Sequence, residues 1–334
     1  MSFLSKFSGG TIKTLEDHAA AARNLMHFAS DSYRTSNDLS LGASPVTCSI
    51  PECVTGWNKR SRKQGRPIFE GKWGCSGHCL RTLLRMAVRR ELGDSGSTSD
   101  LSPHRHRIPL GLVLLAQGWV THPQLLTALE AQKANGHGRI GDWLASGCGL
   151  DEERITRGLA IQWGCPVLNS NNFSAASMAL IMPKRFVEEF GLLPLRIAGS
   201  SILYVAFQEN RDAAAALSIE QMSSLSVECG LLKQSAFGVV KAELLAAEAV
   251  PATMGFANDS ADLAEKLASV LEGRQAIASR LVRIHQYYWL RVWLESGAMS
   301  SLGTLARSPE DVADYVFAIS KNSVFGGGNT PLRS

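Results

Sequence analysis

The sequence predicts an α+β protein. A two-copy helical repeat over residues 107–170 is followed by a small α/β sheet unit over 171–246. A small cysteine-rich basic module (46–93) precedes them, and helices over 260–320 follow. Three observations carry this reading. A pattern of apolar residues and glycines occurs twice, with Gly111 matching Gly141 and Gln132 matching Gln162. Helix and strand signals alternate after it. Four of the seven cysteines sit in two short-spaced pairs before it.

The chain has 334 residues, 34 Lys+Arg against 30 Asp+Glu, and a net charge of +4. Apolar residues make up 45%, enough to build a real core, which excludes a disordered or collagen-like chain. Seven scattered cysteines do not make a disulfide scaffold, so a reducing, cytoplasmic setting is expected. No apolar run approaches the roughly 20 residues of a membrane helix, and no signal peptide is visible at the start. There is no phosphate loop, GxSxG, HExxH or kinase-like set; Gly326-Gly327-Gly328-Asn329-Thr330 lacks the lysine. A non-enzyme is expected.

Residues 1–45 read as mostly flexible, with one helical stretch at 15–28. Within 46–93, Cys48-x4-Cys53 is followed, after a long spacer, by Cys75-x3-Cys79. Two short-spaced thiol pairs closed by a long spacer are the donor set of a tetrahedral structural zinc. The module therefore reads as zinc-ribbon-like, with Cys48, Cys53, Cys75 and Cys79 as ligands and His78 as a possible replacement for Cys79. The alternative is a loop-rich segment with unpaired thiols. Lys59, Arg60, Arg62, Lys63 and Arg66 lie between the pairs. A helix follows with Leu80, Leu83, Leu84, Ala87, Val88 and Leu92 on its apolar face, and Arg81, Arg85 and Arg89 as a cationic stripe. With Trp57, Phe69 and Trp73 interleaved, residues 59–90 form a candidate nucleic-acid surface; the other reading is a solvated basic face. Residues 94–106 are a Ser/Gly/Asp-rich linker.

The repeat begins at Leu110-Gly111-x-x-Leu114-Leu115, continues through Gly118-Trp119-Val120, and reaches Leu125, Leu129 and Gln132. It returns as Arg139-Ile140-Gly141-x-x-Leu144-Ala145, then Leu150, Ile155, Leu159 and Gln162. Such a repeat predicts two copies of one small unit about a pseudo-axis. Each copy reads as a short helix, a turn and a longer helix. Thr121 is the expected N-cap of the first long helix, with Pro123 in its first turn; Glu152-Glu153 enrich the start of the second. The Arg139-Ile140-Gly141 step places amides at a helix start where glycine permits close approach, a place that favours an anion. Each following glutamine offers a donor and an acceptor to reach across.

These residues resemble the N-terminal (MshEN) domain of GspE-type secretion and pilus ATPases, which carries two copies of an RLGxx(L/V/I)(L/V/I)xxG motif ending in LxxxLxxQ. The resemblance is close over 107–168 and looser to about 246, where Leu193-Pro194-Leu195 and Ile202–Ala206 are the expected strands about a Gly199-Ser200 turn. It implies a cyclic di-GMP site drawn from Leu110, Gly111, Leu114, Leu115, Gln132, Arg139, Ile140, Gly141, Leu144 and Gln162. It also implies a protein partner in a secretion, pilus or polysaccharide system. The sequence departs from the motif at Pro109, where the family has arginine, with Arg107 as a possible substitute two residues upstream. Ala145 and Cys148 replace a larger apolar residue and a glycine.

No ATPase motif follows. After a second linker (247–258), Leu263, Leu267, Val270, Ile277, Leu281, Ile284, Tyr288 and Val292 recur at helical spacing and predict a long amphipathic helix. Tyr287, Trp289 and Trp293 broaden its face, and His285 reads as structural. Ser308-Pro309-Glu310-Asp311 predicts the cap of a final helix through Tyr315, Phe317 and Ile319, and 321–334 reads as a flexible tail. Taken together, the expectation is a cytoplasmic, non-catalytic regulator or adaptor; the alternative is a nucleic-acid-binding protein acting through the basic zinc module.

Overall fold

A computed structural model describes residues 48–53, 67–93, 107–199, 201–208, 211–274, 276–294 and 305–320. The expected segments 1–45, 94–106 and 321–334 lie outside these residues, as do Trp57, Lys59, Arg60, Arg62, Lys63 and Arg66.

The repeat folds as four helices, α2 (Leu110–Ala116), α3 (His122–Asn135), α4 (Ile140–Cys148) and α5 (Glu152–Trp163). Thr121 caps α3 with a capping box, its Oγ1 accepting from the Gln124 amide while the Gln124 side chain accepts from the Thr121 amide. Gly136 ends α3 in the left-handed region, φ 69°. Packing crosses between copies: α3 lies on α4, and α2 on α5. The shared core is Leu110, Leu114, Val120, Ala128, Leu144 and Leu150. A Cβ at Gly111 would come within 2.6 Å of Leu125, and one at Gly141 within 3.1 Å of Ile155. The two contacts join matching positions of the two copies, so the glycines let the short helix of each copy press against its own long helix.

The sheet unit contains β3 (Leu192–Ala198), β4 (Ile202–Phe207) and β5 (Ser226–Leu231), in the order β3-β4-β5. β3 and β4 form the expected hairpin, with Gly199 at φ 60°. α8 (Ala213–Ser223) crosses over to β5, which runs parallel to β4. Before the hairpin come the single turn α6 (Ala175–Met178) and α7 (Lys184–Phe190), and after β5 comes α9 (Gln234–Ala246).

The C-terminal region departs from expectation. Only α10 (Ser260–Arg274) of the expected long helix is helical. The rest forms strands β7 (Ala278–Ile284) and β8 (Tyr287–Trp293), antiparallel about the His285-Gln286 turn, with His285 at φ 52°. The final helix is corrected as well. Ser308 caps one 3-10 turn, Pro309–Asp311, and the chain then enters β9 (Val312–Ile319). The second linker holds β6 (Ala252–Ala257). The sheet order is β6-β9-β8-β7, with β6 parallel to β9 and the other pairs antiparallel. Every residue of β8 is buried, so its apolar positions satisfy a helical period as readily as an extended one. The aromatic and β-branched content of β8 and β9 settles the matter in favour of strands.

The cysteine module shares its core with this sheet. β1 (Ile68–Phe69) and β2 (Lys72–Trp73) form a small ribbon. The Ile68 and Glu70 amides donate to the Ala276 and Ser279 carbonyls at 3.0 and 2.8 Å. α1 (Gly77–Gly93) buries Leu80, Leu83, Leu84, Ala87 and Val88 in the cluster that holds Leu263, Leu267 and Leu271 of α10 and Leu281 and Leu290 of the sheet.

On the sheet's other face a buried ion pair joins it to the sheet unit. Arg291 Nη2 and Nε reach the Asp314 carboxylate at 2.7 and 2.8 Å. Trp289 Nε1 donates to the same carboxylate at 2.8 Å, and Arg291 Nη1 donates to the Ile181 carbonyl at 3.1 Å.

Candidate functional site

The four expected metal ligands converge. The sulfurs of Cys48, Cys53, Cys75 and Cys79 all lie within 4.8 Å of one another. Three separations are 3.3 Å (Cys53–Cys75), 3.7 Å (Cys75–Cys79) and 3.8 Å (Cys79–Cys53). Four sulfurs at about 2.3 Å from one zinc stand about 3.8 Å apart, so the donor set fits a tetrahedral ion. None of the seven cysteines is in a disulfide. Burial pushes the Cys79 thiol up to about 12. The ribbon brings the pairs together: the Ser49 amide donates to the Trp73 carbonyl at 2.8 Å, and the Trp73 amide to Ser49 Oγ at 3.1 Å. Cys79 is in the first turn of α1, while His78 beside it is exposed and outside the cluster.

Two of the three arginines of the cationic stripe share one carboxylate at the surface. Arg81 and Arg85 both pair with Glu265 of α10, at 2.7 and 2.9 Å. Arg90 pairs with Glu70 and Glu91. Arg89, the third arginine of the stripe, is exposed, and the nucleic-acid expectation gains no support from these contacts.

The repeat residues fall into three groups. Leu110, Gly111, Leu114, Gly141 and Leu144 are buried; Leu114 and Leu144 are fully so, and they shape the module from within. Leu115 and Ile140 are half-buried against the same core. The glutamines close the pseudo-axis. Gln132 Nε2 donates to the Gly138 carbonyl and Gln162 Nε2 to the Ile108 carbonyl, each at 2.7 Å. Gly138 and Ile108 are matching positions of the two copies, so each copy's glutamine ties down the backbone just before the short helix of the other. That reciprocity is the mark of a two-fold.

Arg139 is the expected ligand residue that stands in the open. It precedes α4 as its N-cap, 48% exposed, with Nε 3.6 Å from Asp142 and Nη2 3.3 Å from Gln234 Oε1. Its counterpart Pro109 is the N-cap of α2; ψ is similar at the two positions, 147° and 139°, while φ is −93° at Arg139 and −54° at Pro109. The starts of α2 and α4 meet across the axis: a Cβ at Gly141 would lie 3.8 Å from Leu110. Arg107, the possible substitute, lies flat on Trp163, its Cζ 3.0 Å from the ring centre. The sequence reading missed Lys233, Gln234 and Ser235 at the start of α9, which receive contacts from the second copy. An unremarkable Lys-Gln-Ser opening a helix gave no signal of that role.

No family model matches the chain. Over 95 residues it is 30% identical to the type IV pilus assembly ATPase PilB of Myxococcus xanthus (strain DK1622); this stretch is 28% of the chain and spans 17% of that relative's length. Among solved structures, MshE with cdg is 26% identical, with a TM-score of 0.33 and coverage of 40% of this chain and 96% of that one. The N-terminal domain of XpsE is 17% identical, with a TM-score of 0.28 and coverage of 40% and 92%. The chain thus carries a segment similar to the N-terminal domains of GspE-type secretion and pilus ATPases, and the ATPase domain of those proteins is not matched.

Proposed function

We propose that the chain is a non-catalytic cytoplasmic regulator or adaptor whose repeat module binds cyclic di-GMP and passes its occupancy to a partner in a secretion, pilus or polysaccharide system. The observation that carries this reading is the pseudo-two-fold closed by Gln132 and Gln162, with N-cap positions 109 and 139 beside the axis. Cyclic di-GMP is itself two-fold symmetric, with two phosphates. A pseudo-symmetric module offers it two equivalent half-sites, of which one keeps its arginine. Arginine pairs with a phosphate or a guanine edge in a bidentate manner. The resemblance of the repeat to the MshEN motif supports the ligand class, and the 30% identity to PilB supports the setting. The cysteines serve as a structural zinc staple, with all four positions filled by sulfur.

Calorimetric titration of the full chain with cyclic di-GMP tests the reading. Arg139→Ala is expected to weaken binding by about 10- to 100-fold, the worth of a charge-assisted contact. Pro109→Arg is expected to tighten it, because position 109 is the N-cap of α2 as 139 is of α4, with a similar ψ. Gly141→Val is not a clean probe of ligand approach, since its side chain would press into Ile155. Absence of binding in the wild type and in Pro109→Arg would remove the dinucleotide, leaving the module as a protein-docking surface.

A further inference from the structure

Three residues that open α9 receive contacts from the second repeat copy. Gln234 Oε1 accepts from Arg139 Nη2 at 3.3 Å. Ser235 donates through its amide and its hydroxyl to the two oxygens of Glu152, both at 2.7 Å. Lys233 Nζ stands 3.3 Å from Glu153. The first copy has none of this chemistry, with Pro109, His122 and Pro123 at the positions of Arg139, Glu152 and Glu153. The set therefore serves the seam between the repeat and the sheet unit rather than the fold of the repeat.

Resting on the reading that Arg139 meets a phosphate, we infer that this seam is a latch that the ligand opens. Gln234 Oε1 and a phosphate oxygen are rival acceptors for the same guanidinium. The phosphate oxygen carries a charge that the Gln234 amide oxygen lacks and can pair with the guanidinium in a bidentate manner, so the phosphate takes the arginine. A bound diester also brings negative charge to the seam that already holds Glu152 and Glu153, and like charges close together repel. The start of α9 is thereby loosened from the repeat, while the packing of Trp163 on Phe207 keeps the two units together. Coupling is reciprocal: a ligand that opens the seam binds the open seam more tightly, so a change that weakens the seam strengthens ligand binding.

Two measurements on the full chain test this. Gln234→Ala removes the rival acceptor and is expected to tighten cyclic di-GMP binding two- to fivefold by calorimetry. Amide exchange at residues 233–240 is expected to quicken in the wild type on saturation, and to be quick already in ligand-free Glu152→Gln. Binding in the wild type together with unchanged or weaker binding by Gln234→Ala, or with slowed exchange at 233–240, overturns the latch and leaves the ligand reading intact. No binding by wild type or by Gln234→Ala overturns the latch together with the ligand reading.

Discussion

Asp314→Ala should be among the costliest single substitutions in the chain. Asp314 is fully buried and accepts three hydrogen bonds, two from Arg291 and one from Trp289, all between 2.7 and 2.8 Å. Without it, the guanidinium of Arg291, 1% exposed, keeps the Ile181 carbonyl at 3.1 Å and has lost its counter-charge. Breaking a buried pair from one side costs about 3–5 kcal/mol, because a charge is left in a medium that cannot solvate it. The orphaned indole N–H adds to this at the level of about 1 kcal/mol or more. In a unit of this size the loss corresponds to a drop in Tm of roughly 10 °C. Replacing both partners, as Arg291→Met with Asp314→Leu, removes both charges and should restore most of the stability. Urea unfolding followed by tryptophan fluorescence reads the effect directly, since Trp289 and Trp293 are fully buried in the same strand. A loss below about 1 kcal/mol for Asp314→Ala, or a double variant as unstable as the single one, would refute the claim that the uncompensated charge is what costs.

Protein purified without chelator should carry one zinc per chain, and stripping it should quicken amide exchange across β7 and α10 as well as residues 67–93, because β1 is bonded to Ala276 and Ser279 and α1 shares the α10 core. Metal near zero, or a response confined to 67–93, would contradict this. His285 Nε2 lies 2.5 Å from Asp212, the N-cap of α8; its hydrogen bond with that carboxylate holds the imidazole above its usual pKa of 6.5, while Asp212, despite the burial that opposes it, is held below 3.8. The histidine's contribution is therefore full below 6.5 and lost as pH rises through its raised folded value, and the aspartate's is lost only as pH falls below 3.8. The Tm difference between wild type and His285→Asn, a residue that tolerates positive φ, should shrink on going from pH 5.5 to 8.5; a difference that stays constant or grows counts against the pair.

The repeat was legible because its signal is local. Helix periodicity, a cap at Thr121 and the matched glycines Gly111 and Gly141 all survive in one dimension. What the glycines and glutamines touch in the folded chain is not local. Gly141 looked like a place for a ligand to approach, yet it faces Ile155 of its own copy. Gln132 and Gln162 looked like ligand contacts, yet each satisfies a backbone carbonyl of the opposite copy. A glycine or glutamine at a fixed offset states that something comes close, and the partner's identity is settled by the packing. The cysteine set was readable for the opposite reason, since thiols in such pairs have few other uses. The C-terminal strands were not readable as strands. A segment buried on both faces has no polar side to reveal its period, and β6 finds its partner β9 only after α10, β7 and β8 have intervened.

That long-range pairing also changes what the chain is as an assembly. Residues 67–93 and 252–319 complete one core from opposite ends of the sequence, so the repeat and sheet unit are carried between two halves of a single host. Insertion ties the sheet unit down at several points. Arg291 donates to the Ile181 carbonyl, Tyr287 donates to the Glu189 carboxylate at 2.8 Å, Ser218 donates to the Arg283 carbonyl at 2.6 Å, and Arg280 donates to Ser224 Oγ at 2.8 Å. The Arg291 and Ser218 joints are buried or half-buried, and to open one would leave a polar group unsolvated, while Glu189 and Ser224 reach the surface. The seam at the start of α9 is different. Its residues are at least partly exposed, and water replaces a broken contact there at little cost. The repeat also keeps a buried hold on the sheet unit, Trp163 of α5 packing edge-on against Phe207 of β4 with ring centres 5.4 Å apart, so any give in response to a ligand falls first among the exposed contacts beside Arg139.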